Sequence, residues 1–201
     1  MPDREDTALL LAAGEGDRQA FAALVERHHR AIIQFAHRFL STADRATAED
    51  IAQQVFLSAW KAAPSFKPRA AVKTWLLRIT TNVCLNHQRS RRRKPTTSLA
   101  GEPAADASAS RTAPPDEAAV DQERAARLRA AVDALPANQR AAILLRHGHD
   151  LSYEEIAAVL ETSLSAVESL LFRARSRLRD VIEAEKDDHP PQDPPLSGAD
   201  T

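Results

Sequence analysis

The stretch from residue 94 to residue 119, KPTTSLAGEPAADASASRTAPPDEAA, holds one large aliphatic side chain, Leu99, among alanines, prolines, serines and threonines. Such a segment cannot bury enough apolar surface to offset the entropy of ordering it. Apolar periodicity is present on both sides of it, so the chain has to build a core on each side. Its length of 201 residues suits one medium domain or two small ones, and this interruption decides for two. The expected division is an N-terminal segment at 1–16, a first domain at 17–94, a flexible linker at 95–124, a second domain at 125–185, and an acidic, proline-rich, disordered tail at 186–201.

Both domains are expected to be helical, giving an all-α fold. Glycine is scarce (5 residues), aromatics make up 4% and alanine is plentiful, a composition that favours helix over strand. In the first domain Phe21, Leu24, Val25, Ile32, Phe35, Ala36 and Phe39 recur at three-and-four spacing, with Asp17 placed as N-cap. Ile51, Val55, Phe56 and Ala59 form a second stripe, which a Thr47/Asp50 box is expected to open. The prolines of APSFKP (63–68) end it. A third helix is expected from about Val72 to about Arg91, with Trp75, Leu76, Ile79, Val83 and Leu85 inward. Periodicity resumes through Leu128, Val132 and Leu135 and restarts after Pro136. Ser152/Glu155 and Ser165/Glu168 each have the spacing of a capping box.

Several function classes are excluded at this level. The first residues carry acids and lack the apolar run of about 7 to 15 residues of a secretory signal. No stretch approaches the roughly 18 apolar residues of a membrane span. The expectation is a soluble, cytoplasmic chain with no membrane insertion. The single cysteine, Cys84, cannot form an internal disulfide and is expected to be packing. His28/His29 and His147/His149 lack the spacing that presents two imidazoles to one metal. There is no phosphate-cradling glycine loop and no nucleophile with a credible base. No enzyme activity, cofactor or metal is therefore expected.

The formal net charge of −1 conceals segregation. RSRRRK (89–94) and RARSRLR (173–179) are basic, whereas 101–123 is acidic, and two separated basic faces suit a polyanion partner. LSYEEIAAVLETSLSAVESLLFRARSRLR (151–179) reads as a short helix, a polar turn and a longer basic helix, the layout in which the second helix enters the major groove. Val167, Leu171, Ala174 and Leu178 would face the core. Ser169, Phe172, Arg173 and Ser176 would face outward, with Arg173 suited to phosphate or a guanine edge and Phe172 to a thymine methyl. The amides Asn82, Asn86 and Gln88, with Thr80 and Thr81, run into the first basic block.

In their order along the chain, AEDIAQQVFLSAWKAAPSF (48–66), TWLLRITTNVCLNHQRSRRR (74–93) and LPANQRAAILLRHGHDLSYEEIAAVLETSLSAVESLLFRARSRLR (135–179) resemble three segments of one family. They resemble the polymerase-binding region, promoter-melting helix and C-terminal helix-turn-helix of the extracytoplasmic-function (ECF) sigma factors of bacterial RNA polymerase. The resemblance implies a sigma region 2 bundle and a region 4 helix-turn-helix. It places Asp50, Gln53, Gln54 and Trp60 at core polymerase, whose β′ clamp and β subunits are the expected partners. It places Asn82, Asn86, Arg89 and Arg91 at the minus-ten element, with the loop 64–73 helping to hold an unstacked base. Glu168, Ser169, Phe172 and Arg173 fall at the minus-thirty-five element. Promoter DNA and an anti-sigma factor are the further partners it implies.

Three positions depart from the family. Many relatives carry basic residues where Glu168 and Leu170 stand, and glutamate where Gln54 stands. Glu168 is expected to close the Ser165 capping box, and also to accept from a cytosine amino group. The competing reading is a stand-alone two-domain helix-turn-helix regulator, which would have no use for AEDIAQQVFLSAW.

Overall fold

The computed structural model describes residues 2–41, 45–68, 70–93 and 117–187, all helices and short connections, with no strand among them. The first domain contains α1 (Pro2–Gly14), α2 (Arg18–Leu40), α3 (Arg45–Ala62), a 3-10 turn (Ala63–Ser65) and α4 (Val72–Arg93). The second contains α5 (Glu117–Asp133), α6 (Ala137–His149), α7 (Tyr153–Leu160) and α8 (Leu164–Asp187).

The first core forms where α2, α3 and α4 bring their stripes together. Leu24, Ile32, Phe35 and Phe39 meet Ile51, Val55 and Phe56, and α4 adds Leu76, Leu77 and Cys84. Asp17 caps α2 as its position suggested, its Oδ1 accepting from the backbone N–H of Gln19 at 2.8 Å and Ala20 at 3.0 Å. A cap of this kind contributes about 1 kcal/mol. Burial pushes the Cys84 thiol up to about 12, well away from thiolate chemistry.

Three boundaries differ from the expectation. Residues 2–14, left as a bare segment, form α1, which packs Leu10 and Ala13 inward and ties Asp6 to Arg27 (2.9 Å) and His28 (2.8 Å) on α2. A Cβ on Gly14 would lie 2.9 Å from the Ala63 carbonyl oxygen, so glycine lets the end of α1 rest on the backbone of the 3-10 turn. Next, α3 already begins at Arg45, which pairs with Glu49 at 2.8 Å, so Thr47 lies inside the first turn and does not open the helix. Lastly, α5 begins at Glu117, so residues 117–124 are helix and not linker, as their alanines favour. The rest of the linker (95–116), and the tail from 188 on, lie outside the described residues.

The two domains share one continuous apolar core, α6 lying on α2 and α7 on α4. α6 therefore buries seven consecutive residues, Gln139 to Leu145, where a surface helix would bury a stripe. At the centre is Arg140, only 5% exposed. Its Nη1 donates to the Phe39 carbonyl (2.7 Å) and to Ser41 Oγ (3.0 Å), and its Nη2 donates to the carbonyls of Asp133 and Leu135. The guanidinium also lies 5.9 Å from the Phe39 ring centroid. Nearby, His149 sets its ring 5.6 Å from that of Phe35. On the far side of α6, a cleft of about 1050 Å³ runs between α5, α6, α8 and the end of α2, with Leu128, Val132, Ile143 and Leu178 in its walls.

Replacing Arg140 by alanine leaves several buried carbonyls without a donor and opens a void, so the unfolding free energy is expected to fall by about 3 kcal/mol. Urea titration of the intact chain measures it. The His149 pKa is lowered to about 4 by burial first, then by Lys73 and Arg38, against an opposing pull from Asp150. The unfolded chain therefore binds the proton more readily. The neutral ring's stability is present above about pH 6.5 and is lost as pH falls toward 4. Melting temperatures between pH 7 and pH 4 should drop more steeply for the unaltered chain than for His149→Gln.

Candidate nucleic-acid interface

α3 turns Ala48, Ile51, Ala52, Val55 and Ala59 into the core. The same periodicity leaves Asp50, Gln53, Gln54 and Leu57 along its outer side. Leu57 is 60% exposed, an apolar centre in a polar stripe. Trp60 stands beside this stripe, half-buried, with its ring edge-on to Phe21 at 5.0 Å.

On α4 the polar residues divide. Thr80 and Thr81 are fully buried, Thr80 Oγ1 donating to the Leu76 carbonyl at 2.8 Å, so neither faces a ligand. Asn82, Asn86 and Arg89 are exposed on one face, and Arg89 Nη1 donates to Asn86 Oδ1 at 3.4 Å. Arg91 is also exposed. It lies about two and a half turns beyond Asn82, on the other side of the helix, so the structure does not group it with the other three. Phe66, in the loop before α4, is packed edge-on against Trp75 at 5.4 Å, leaving Lys67 and Pro68 at its exposed rim. Sequence reading missed Arg78, which shares the Asn82 face and meets Glu161 of the second domain at 3.0 Å. Its signal was the four-residue spacing from Asn82.

The second domain delivers the expected helix-turn-helix. Ser152 and Glu155 make a complete capping box on α7, with Glu155 N–H to Ser152 Oγ at 3.2 Å and Ser152 N–H to Glu155 Oε2 at 2.8 Å. For α8 the cap is Ser163, whose Oγ accepts from Ala166 N–H at 3.2 Å. Ser165 is already helical, so Glu168 closes no box, a correction by half a turn. Glu168, Ser169 and Arg173 are exposed, and Phe172 is 73% exposed, above a floor of Val167, Leu171 and Ala174 that is fully buried. A cleft of about 430 Å³ along this face is lined by Tyr153, Glu168, Phe172, Arg175, Ser176 and Arg179. Tyr153 is held there by the Arg146 guanidinium, 5.6 Å from its ring, and by Arg175 Nη1, 3.4 Å from its hydroxyl. Among the described residues no three His, Cys, Asp or Glu side chains gather as metal ligands, and no helix is long and apolar enough to cross a membrane.

Residues 24–94 match the family model of sigma-70 region 2, and residues 125–178 that of sigma-70 region 4. The chain is 31% identical to the RNA polymerase sigma-H factor of Pseudomonas aeruginosa, over 91% of this chain and 96% of that one. It is 36% identical to the ECF RNA polymerase sigma factor SigM of Mycobacterium tuberculosis, over 90% of this chain and 86% of that one. The chain belongs to the ECF sigma factors of the sigma-70 family. Two solved structures are similar in fold. One is CnrH in complex with the cytosolic domain of CnrY (TM-score 0.66, 28% identity, 90% of this chain and 99% of that one). The other is the sigma factor RpoE in complex with the anti-sigma factor NepR from Bartonella quintana (TM-score 0.62, 26% identity, 82% of this chain and 98% of that one). This ECF sigma factor is thus a promoter-specificity subunit, which binds core RNA polymerase, directs it to its promoters and assists DNA melting; a stand-alone regulator is not favoured.

The capping assignment has a direct check. Ser163→Ala should destabilise the ECF sigma factor by about 1 kcal/mol, whereas Ser165→Ala should stay within about 0.5 kcal/mol of the unaltered chain. Paired thermal unfolding curves measure the difference.

Proposed function

We propose that the three exposed faces divide the work of initiation between them. Residues 17–94 act as region 2 and 125–185 as region 4, and the linker between them sets their reach. The outer stripe of α3, Asp50, Gln53 and Gln54 around Leu57, docks on the β′ clamp of core polymerase, with Trp60 bracing it from the side and the β subunit engaged elsewhere. Leu57, 60% exposed and rimmed by Asp50, Gln53 and Gln54 with Trp60 beside it, is the observation that supports this assignment, because an apolar centre within a polar rim is the layout of a docking face.

Asn82 and Asn86 read the minus-ten element on the strand that α4 captures, while Arg89 and, from the other side of the helix, Arg91 hold phosphates. Extruding a base costs a few kcal/mol of unstacking, which amide contacts and phosphate neutralisation offset, so opening needs no catalytic group. On α8, Ser169, Phe172 and Arg173 read the minus-thirty-five duplex: Phe172 offers an apolar surface to a thymine methyl, Arg173 a fork to guanine or phosphate. Glu168, with no capping duty, is left to accept from a cytosine amino group, which makes this chain's duplex preference its own.

The protein works in the cytoplasm as a non-enzymatic subunit. The complexes formed by CnrH and by RpoE support an anti-sigma partner for this chain as well. Run-off transcription with sigma-free core polymerase on a pool of promoter fragments tests the assignment. Sequence-selected transcripts are expected with the unaltered chain. They should fall by about 10-fold or more with the double variant Asp50→Ala/Gln53→Ala, the loss of roughly 1.4 kcal/mol or more of docking energy. Undiminished transcripts from that variant would refute the α3 assignment.

A further inference from the structure

One face of α4 faces the second domain with a row of hydrogen-bond donors. Lys73 Nζ donates to the His149 carbonyl at 2.7 Å, and Thr74 Oγ1 to Glu155 Oε1 at 3.1 Å. One and two turns further on, Arg78 Nε and Asn82 Nδ2 converge on the same oxygen, Glu161 Oε1, at 3.0 and 3.4 Å. Thr74, Arg78 and Asn82 recur every four residues, so α7 lies along a single stripe of α4 from its first turn to its C-cap.

Glu161 stands where its backbone would be better served by another residue. It is the C-cap of α7, in the left-handed region at φ 53 and ψ 47, and the N–H groups of Glu161 and Thr162 both close on the Ala157 carbonyl. Glycine is the usual occupant of such a position, and a side chain with a Cβ costs roughly 1 kcal/mol there. A negative charge at a helix C-terminus is also opposed by the helix dipole. Glycine would relieve both penalties. What glutamate adds is the carboxylate that meets Arg78 and Asn82.

The geometry points to Glu161 as an internal stand-in for DNA, and to Arg78 as a further strand-binding residue beside Asn82. The carboxylate occupies the two donors that a phosphate oxygen and a base edge would take, so α7 has to lift from α4 before the melted strand can enter. The α3 stripe and the exposed face of α8 remain open in the same arrangement. In this arrangement it is the Asn82 face alone, of the three, that is covered by the other domain. This rests on the reading of α4 as the strand-capturing helix.

Fluorescence anisotropy of the full-length chain with a labelled, random-sequence single-stranded DNA pool tests it, because a phosphate contact is independent of sequence. Glu161→Gly, which also relaxes the backbone, should tighten binding roughly fivefold, the scale of an exposed ion pair. Glu154→Gln changes the charge equally on the same helix, at a carboxylate bonded within its own turn; it should leave binding unchanged. Adding Arg78→Ala to Glu161→Gly should abolish the gain. Equal binding by Glu161→Gly and the unaltered chain, or an equal gain from Glu154→Gln, would overturn the proposal. A permanganate footprint of the Asn82→Ala holoenzyme separates the two layers. If that holoenzyme opens promoters normally, the reading of α4 is wrong and the proposal falls with it. If it fails to open them while Glu161→Gly still binds single strands no better, the gate alone is wrong.

Discussion

A buried guanidinium must recover most of its lost hydration from the groups around it. Arg140 does so on the carbonyls that helices leave unsatisfied at their C-terminal ends: Phe39 at the end of α2, and Asp133 and Leu135 at the end of α5. These are also the negative ends of two helix dipoles. One side chain of α6 thus fastens the ends of two other helices, one from each domain. The burial of Ala141 to Leu145, the position of His149 against Phe35 and the laying of α7 along α4 all follow from where that fastening places α6.

The seam between the domains is uneven as a result. At the Arg140 end, aromatic rings and backbone carbonyls are buried together, and separation there would expose Phe39 and take the Arg140 donors away from the Phe39 carbonyl. At the other end Arg78 and Glu161 are each about half exposed (50% and 54%), and pairs of that kind contribute about 1 kcal/mol or less. The interface therefore has a strong end and a weak end, and separating the weak one costs far less. Salt weakens the exposed end far more than the buried one.

Periodicity made most of the helices legible, because each of α2, α3, α4 and α8 carries a stripe long enough to identify by its spacing. α1 was not, since its leucines at 9, 10 and 11 fall in a run and not at helical intervals, and only α2 and the 3-10 turn show which of them is inward. The start of α8 was misplaced by two residues because Ser163 and Ser165 are both plausible caps; geometry alone says which hydroxyl reaches a backbone N–H. Thr80 and Thr81 looked like part of a polar reading face and proved to be core, a distinction that depends on the rotation of α4 against α2 and α3. The seam was invisible for a different reason. Its partners, Arg78 with Glu161 and Arg140 with Phe39, lie 83 and 101 residues apart, and no local pattern relates them.

α8 is 24 residues long, about 36 Å of continuous helix. Phe172, near its start, faces the reading surface, while Leu178 and Arg179, about 10 Å further along, wall the large cleft against α5 and α6. Leu171 and Ala174, fully buried, hold the helix to the core beside the reading face, while Arg175 and Arg179 line both clefts. The same two guanidinium groups thus border the reading face and the large cleft, so anything lodged in that cleft would share side chains with the face that α8 presents outward.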